Sequence, residues 1–229
     1  MLTPLEIEAL SLSLCVATWS TLAALPVAIL AAFILARTDF WGKSLFDGII
    51  HMPLVLPPVV IGYLLLVTLG TRGPIGSWLL ETFGIRLIFT SAGASVAAGV
   101  MAFPLMVRAI RQAIEAIDTG LEAAARTLGA GPIDRFLTIT LPLMLPGVLS
   151  GAVLAFAASL GEFGATITFV SNIPGETRTL PLAIYTATQT PDGDAEAARL
   201  VALSFALSLG ALILSEYLGR RVRRMMGRF

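Results

Sequence analysis

The sequence predicts an all-α membrane protein, a helical bundle of five transmembrane helices, with a sixth if one of two shorter apolar runs also crosses. Three observations carry this. Of 229 residues, 56% are hydrophobic and 13% charged, where a soluble domain carries roughly 25% charged residues; the mean hydropathy is +0.88. The chain contains five long runs without Asp, Glu, Lys or Arg. The basic residues between those runs fall mostly on alternate sides.

The runs are 9–36, 48–71, 87–107, 136–161 and 200–215. A spanning helix needs about 20 apolar residues at 1.5 Å rise each, which the first four satisfy. The fifth continues through Glu216, Tyr217 and Leu218 before the arginine cluster. Two further runs, 163–175 and 179–191, have 13 residues each and read as re-entrant, interfacial or helix-extending segments. With the N-terminus outside, Arg37, Lys43, Arg108, Arg111, Arg126, Arg135 and the C-terminal cluster Arg220, Arg221, Arg223, Arg224 and Arg228 lie in the cytoplasm. Only Arg72, Arg86, Arg178 and Arg199 lie outside. That is eleven of the 15 basic residues on one side, the asymmetry the positive-inside rule requires. The C-terminal cluster is expected to fix topology and to contact anionic lipid.

The first run is followed, not preceded, by a basic residue, which argues against a cleaved secretory signal. Cys15, the single cysteine, sits inside that run, so there is no disulfide framework. No cluster has metal-ligand spacing, and His51, the only histidine, is placed at the membrane interface rather than in a catalytic role.

The chain reads as one domain over residues 1–229, with its membrane core at about 9–218 and no linker or internal repeat. Pro26, Pro53, Pro57, Pro58, Pro104 and Pro146 lie inside the runs, and each removes a backbone donor and bends or breaks its helix. Gly147, Gly151 and Ala155 share a helix face suited to close backbone contact, either within the subunit or between subunits. The outer segment 161–199 is long and threonine-rich, and is expected to carry short helices.

One cytoplasmic segment is different. Residues 121–142 read LEAAARTLGAGPIDRFLTITLP. Positions 121–128 have high helix propensity. Asp118 or Thr119 can cap the helix, and Glu122 in its first turn suits the dipole. Gly129 and Gly131 end it, and Pro132 permits a second start. Ala123, Ala124, Ala125 and Ala130 leave a surface that another protein can approach closely.

The segment resembles the signature of ABC-importer permeases, E-A-A-x3-G-x9-I-x-L-P. Ala124, Ala125, Gly129, Ile139, Leu141 and Pro142 stand at the matching positions. The signature glutamate position holds Ala123, and Glu122 lies one residue earlier. HMPLVLPPVVIGYLLL at 51–66, FPLMVRAIRQAIE at 103–115 and SLGEFGATITFVSNIPGETRTLPLAIY at 159–185 are similar to molybdate permease subunits, with the GEFGAT stretch also similar to sulfate and tungstate permeases.

The resemblance implies a type I ABC importer permease fold in a bacterial inner membrane. It implies an ATPase-coupling loop at about 118–141, and a homodimer with two ATPase subunits inside and an oxyanion-binding protein outside, membrane lipid around it and no nucleic acid. The chain itself would hold no cofactor. ATP and Mg belong to the partner, in line with the lack of a GxxxxGK[ST] loop. The cargo would be molybdate. Because it is a dianion, neutral donors are the expected path residues: Ser150, Ser159, Thr166 and Thr168. Glu162 is expected to act structurally at an outer gate or as a helix-end cap, with Arg178 a candidate ion partner, since an ionised carboxylate repels a dianion.

Three other functions compete. A sulfate or tungstate permease would carry the same motifs. A membrane hydrolase using a serine with His51 lacks a GxSxG context. An ATP-independent transporter leaves the 121–142 segment without a purpose.

Overall fold

The computed structural model of the chain describes residues 3–225; the side chains of Ser215, Glu216, Leu218, Gly219 and residues 221–225 fall outside what it describes. Most of the C-terminal arginine cluster therefore lies outside the described side chains.

Helix α1 (Pro4–Arg37) starts at a reciprocal cap. The Glu6 N–H donates to Thr3 Oγ1 at 3.3 Å and the Thr3 N–H to Glu6 Oε2 at 2.7 Å, so two orphan donors of the first turn are satisfied together. Pro26 is carried inside it. Then follow α2 (Lys43–Val55), α3 (Pro58–Leu69), α4 (Pro74–Phe83) and α5 (Ser91–Glu115). Thr90 caps α5 by accepting from the Gly93 N–H at 3.1 Å. Helices α6 (Thr119–Thr127) and α7 (Pro132–Arg135) lead through a π-helical segment, Phe136–Thr140, into α8 (Leu141–Leu160). The chain ends with α9 (Gly164–Val170), α10 (Leu180–Thr188) and α11 (Asp194–Met225).

By length and apolarity four stretches among the described residues can cross a membrane alone: Pro4–Arg37, Ser91–Glu115, Pro132–Leu160 and Asp194–Leu214. The second uncharged run corrects the expectation of one continuous span. It is split between α2 and α3, which meet at 114°. Pro57 and Pro58 are the reason. Neither has an N–H to donate, and a residue before proline is driven out of the helical region; Pro57 accordingly has ψ 135°. Counting the bent pair as one span gives five. The two 13-residue runs contribute α9 and α10, of 7 and 9 residues. At 1.5 Å per residue neither reaches across a core of about 30 Å.

The centre of the bundle is α5, packed against α1 on one side and α8 on the other. Ala28, Ala32 and Leu35 of α1 meet Ala102, Met106 and Ile110 of α5, and these meet Met144, Val148 and Ala155 of α8. Small residues make the approach possible. A Cβ on Gly147 would lie 2.2 Å from the Cβ of Ala113, and one on Gly151 would lie 3.1 Å from the Met106 carbonyl. The small-residue face of α8 is thus spent on α5 of the same chain.

Polar contacts fasten α1 at three depths. The Arg199 Nε of α11 donates to Glu6 at 2.9 Å. Ser13 Oγ accepts the Leu180 N–H of α10 at 2.6 Å. The Ser20 hydroxyl donates to Ser159 Oγ of α8 at 2.9 Å.

Candidate docking loop and translocation path

The segment between α5 and α8 folds as its punctuation dictates. Of the two possible caps, Asp118 is used, accepting the Gly120 N–H at 2.8 Å. The helix ends in a double closure. The Gly129 N–H donates to the Arg126 carbonyl and the Ala130 N–H to the Ala125 carbonyl, at 3.1 and 3.0 Å. This six-to-one pairing needs a left-handed residue at its centre. Gly129 supplies it with φ +89°, at no steric cost. Gly131 precedes Pro132, which opens α7. Ile139 then sits half-buried in the π-helical segment and Pro142 lies exposed at the start of α8.

No residue of α6 or α7 is buried. Ala123, Ala124 and Gly129 are exposed, while Ala125 and Ala130 are half-covered. Two large apolar residues that the sequence argument passed over stand in the open beside them: Leu128 is 88% exposed and Ile133 76%. Their position flanking the glycine turn was the available signal.

Glu122 faces the other way. Its Oε1 accepts from Arg37 Nη2 at 2.8 Å and from the Thr140 hydroxyl at 2.9 Å. Arg37 is the last residue of α1, so this carboxylate latches the loop helix to the end of the first span and to the root of α8.

The path residues are more scattered. Ser150 is half-buried on α8. Ser159 is buried and committed to Ser20. Thr168 donates to the Gly164 carbonyl of its own helix at 2.8 Å. It stands where α3 crosses α9; a Cβ on Gly62 would lie 2.7 Å from its Cβ. Thr166 is 1% exposed, and its Oγ1 has no hydrogen-bond partner among the described residues.

Glu162 resolves towards the cap. Its Oε1 accepts the Ala165 N–H at 2.7 Å, closing the first turn of α9. Burial pushes its carboxyl upward from the ordinary value, against the opposing pull of the Ala165, Phe163 and Thr166 N–H groups. Arg178 is not its partner: the Arg178 Nε donates to Asn172 Oδ1 at 2.9 Å, and Asn172 Nδ2 donates in turn to Thr186 Oγ1 at 2.8 Å.

His51 belongs to a different cluster. Its Nδ1 lies 2.9 Å from the Asp47 carbonyl. Asp47 Oδ2 accepts from Arg111 Nη1 at 3.1 Å, and Arg111 Nε donates to Glu115 at 2.7 Å. This network ties α2 to the end of α5. A cavity of about 730 Å³ is an apolar groove between α1, α2 and α5, bordered by Trp19, Val27, Ile49, Pro53 and Phe103. Neither the four path candidates nor Glu162 line it.

The family model described as binding-protein-dependent transport system inner membrane component matches residues 24–224. A "Molybdenum transport system permease protein ModB" of Escherichia coli (strain K12) is 58% identical over 228 residues, covering 100% of both chains. The protein of the same name from Haemophilus influenzae is 57% identical, covering 97% of both, and that of Mycobacterium tuberculosis is 42% identical over 96% of this chain and 81% of its own. Among solved structures, a bacterial ABC transporter involved in the import of the acidic polysaccharide alginate aligns with TM-score 0.75 at 19% identity, over 96% of this chain and 80% of that one. The MetNI methionine ABC transporter in an inward-facing form aligns with TM-score 0.68 at 18% identity, over 95% and 94%. The fold is therefore that of the type I ABC importer permeases.

Proposed function

Because the chain belongs to the family of binding-protein-dependent transport system inner membrane components, we propose that it is the membrane-spanning subunit of an ATP-driven importer of molybdate. The single observation that carries the reading is the 58% identity to a molybdenum transport permease over the whole length of both chains. The structure supports it with a loop of the right construction. A loop helix with no buried residue, ended by a left-handed glycine, is latched by Glu122 to the end of a span.

In this reading two copies form the path. An ATPase subunit docks on each loop through the alanine face, Leu128 and Ile133. A molybdate-binding protein docks outside, and the N-terminus is outside with the loop and C-terminus in the cytoplasm of an inner-membrane protein. Closure of the ATPase pair on ATP moves α6, and the Glu122–Arg37 and Glu122–Thr140 contacts pass that movement to α1 and α8. Switching requires the ATPase to bind one arrangement of the loop more tightly than the other. The cargo is a dianion, so the path offers hydroxyls, among which Ser150 and Thr166 are the best placed because neither competes with a contact named above.

The test is ATPase stimulation of the assembled complex by binding protein loaded with molybdate, tungstate or sulfate. Molybdate-loaded protein is expected to stimulate most. Stimulation by the sulfate-loaded form alone would overturn the cargo and leave the importer standing. A complex that retains no ATPase subunit would overturn both.

A further inference from the structure

The latch borders a cavity whose second cation, Arg135, takes no part in the coupling contacts. The end of α1, the start of α7 and the π-helical segment enclose this cavity of about 400 Å³, and its polar wall is Arg37, Glu122, Arg135 and Thr140. Two guanidinium groups face one carboxylate. Arg37 spends one nitrogen on Glu122, and Arg135 makes no ion pair among the described residues. The Nε of each arginine is buried with no hydrogen-bond partner among the described residues. Buried donors are costly to leave unmet, charged ones most of all. The lining of the cavity thus carries two guanidinium groups against one carboxylate, an excess of one positive charge.

The cavity does not end at its polar wall. Phe33, Pro132 and Phe136 also border a second, apolar hollow of about 370 Å³, continued by Pro26, Ile29, Leu30 and Ile133 of the docking surface. Phe33 and Phe136 stand edge to face at 5.7 Å between the two. From Arg37 back to Pro26 the groove follows α1 for eleven residues, about 16 Å at helical rise. That is close to half of a hydrocarbon core of about 30 Å. A cationic cavity at the end of a span, sharing a wall with an apolar trough that runs about 10 Å further along α1, matches the charged head and the upper acyl chain of one amphiphile.

We propose that this is a binding site for an acidic phospholipid. Its headgroup phosphate pairs with the guanidinium groups of Arg37 and Arg135, and one acyl chain lies along Ile29, Leu30 and Phe33. The bound lipid touches both the end of α1 and the root of the docking loop. It shares Arg37 with Glu122, so its occupancy bears on how firmly the loop is held. The site is independent of which oxyanion is transported.

The test uses the purified permease–ATPase complex, delipidated and titrated with phosphatidylglycerol or phosphatidylcholine, with retained lipid counted by native mass spectrometry. Wild type is expected to retain phosphatidylglycerol in preference, and Arg135→Gln to weaken that retention about fivefold, the worth of one basic residue at a lipid surface. Arg135→Lys is expected to recover most of it, which separates lost charge from lost structure. Ile29→Trp fills the trough and is expected to weaken retention without touching the cationic cavity. Loss in Arg135→Gln with no loss in Ile29→Trp, together with displacement by inorganic phosphate or molybdate, would make the site one for a free oxyanion and overturn the lipid. A trough variant that changed the stoichiometry of the complex while leaving lipid retention intact would give the groove to a protein partner and overturn it equally. Equal retention by wild type and both variants would dismiss the site.

Discussion

The inner connection, residues 118–142, and the outer one, residues 161–193, are built alike and treated oppositely. Each joins two spans through a pair of short helices. In the outer one Phe169, Val170, Leu180 and Leu182 are at most 1% exposed. Thr179 gives α10 no side-chain cap, and Ser13 of α1 receives the Leu180 N–H instead. Thr177 is buried, accepts the Ile173 N–H at 2.9 Å and donates to the Ser171 carbonyl at 3.1 Å. In the inner one the large apolar residues Leu128 and Ile133 stand outside, and a single carboxylate fastens the helix. The outer connection is part of the core. The inner one is rooted in the core through Phe136, Thr140 and Leu141, but its loop helix is a surface latched by one carboxylate and free to be held elsewhere by a partner.

The largest test of this contrast is a matched pair. Phe169→Ala should cost about 3–5 kcal/mol, as for a buried aromatic, seen as a lower thermal unfolding midpoint of the purified chain. Leu128→Ala should stay within about 0.5 kcal/mol on the same measurement while reducing ATPase retention on co-purification. Equal destabilisation by the two would erase the difference between the connections.

Next in size is the latch. Glu122→Ala leaves Arg37 and Thr140 without their acceptor, worth about 1–3 kcal/mol for a partly buried charged group. Faster amide exchange in α6, with exchange in α9 and α10 unchanged, is the expected signature. Protection of α6 that survived the substitution would mean the helix is fastened by something other than this carboxylate.

Gly129→Leu comes third. The position is open, with nothing within 4 Å of an added Cβ, so the penalty is purely one of backbone conformation, about 1 kcal/mol or more at a left-handed residue. The variant should insert normally yet lose the response of ATPase activity to loaded binding protein. Gly129→Asn, which tolerates that conformation better, should lose less. Normal uptake by Gly129→Leu would show that the turn does not set the docking geometry.

The smallest effect belongs to the outer side. Glu162→Gln keeps an oxygen for the Ala165 N–H, and no cation is lost because Arg178 is engaged with Asn172. A change below about 1 kcal/mol is expected, with coupling intact. Burial raises the carboxyl's pKa, so the ionised form is the disfavoured one in the folded chain; wild-type stability should rise as pH falls through that raised pKa, and Glu162→Gln should remove the trend. An altered choice of oxyanion in Glu162→Gln would instead place the residue in the path.

The inner connection was the more readable in sequence, because its structure is local. Asp118 at the cap, Gly129 at the turn and Pro132 at the next start each act within a few residues. The spans were readable from apolar length, but the 114° bend was not. Pro57–Pro58 announces an interruption, while its angle is set by where α3 must go to cross α9 at Gly62. Helix α4, in the outer connection between α3 and α5, went unmarked because 72–86 mixes charged, glycine and aromatic residues without a long apolar run. The least readable contacts are those made across the fold. Glu122 and Arg37 lie 85 positions apart, Ser13 and Leu180 167 apart; nothing in their neighbourhoods names the partner. For the same reason Arg178 looked available to Glu162 until Asn172 was seen to hold it.

The π-helical segment at Phe136–Thr140 makes the chain tolerant of counting. An α-helix turns about 100° per residue, and a π turn holds one residue more than an α turn for the same circuit. The extra residue is absorbed within the turn, so closing this stretch to an ordinary α-helix by removing one residue would leave the docking surface and the span behind it almost in phase. Removing one residue from within α8 would instead turn everything before it by about 100° and carry the exposed faces of Leu128 and Ile133 with it. The stretch between Gly129 and Pro142 thus holds slack of one residue, a spacer where a plain helix would lose its register.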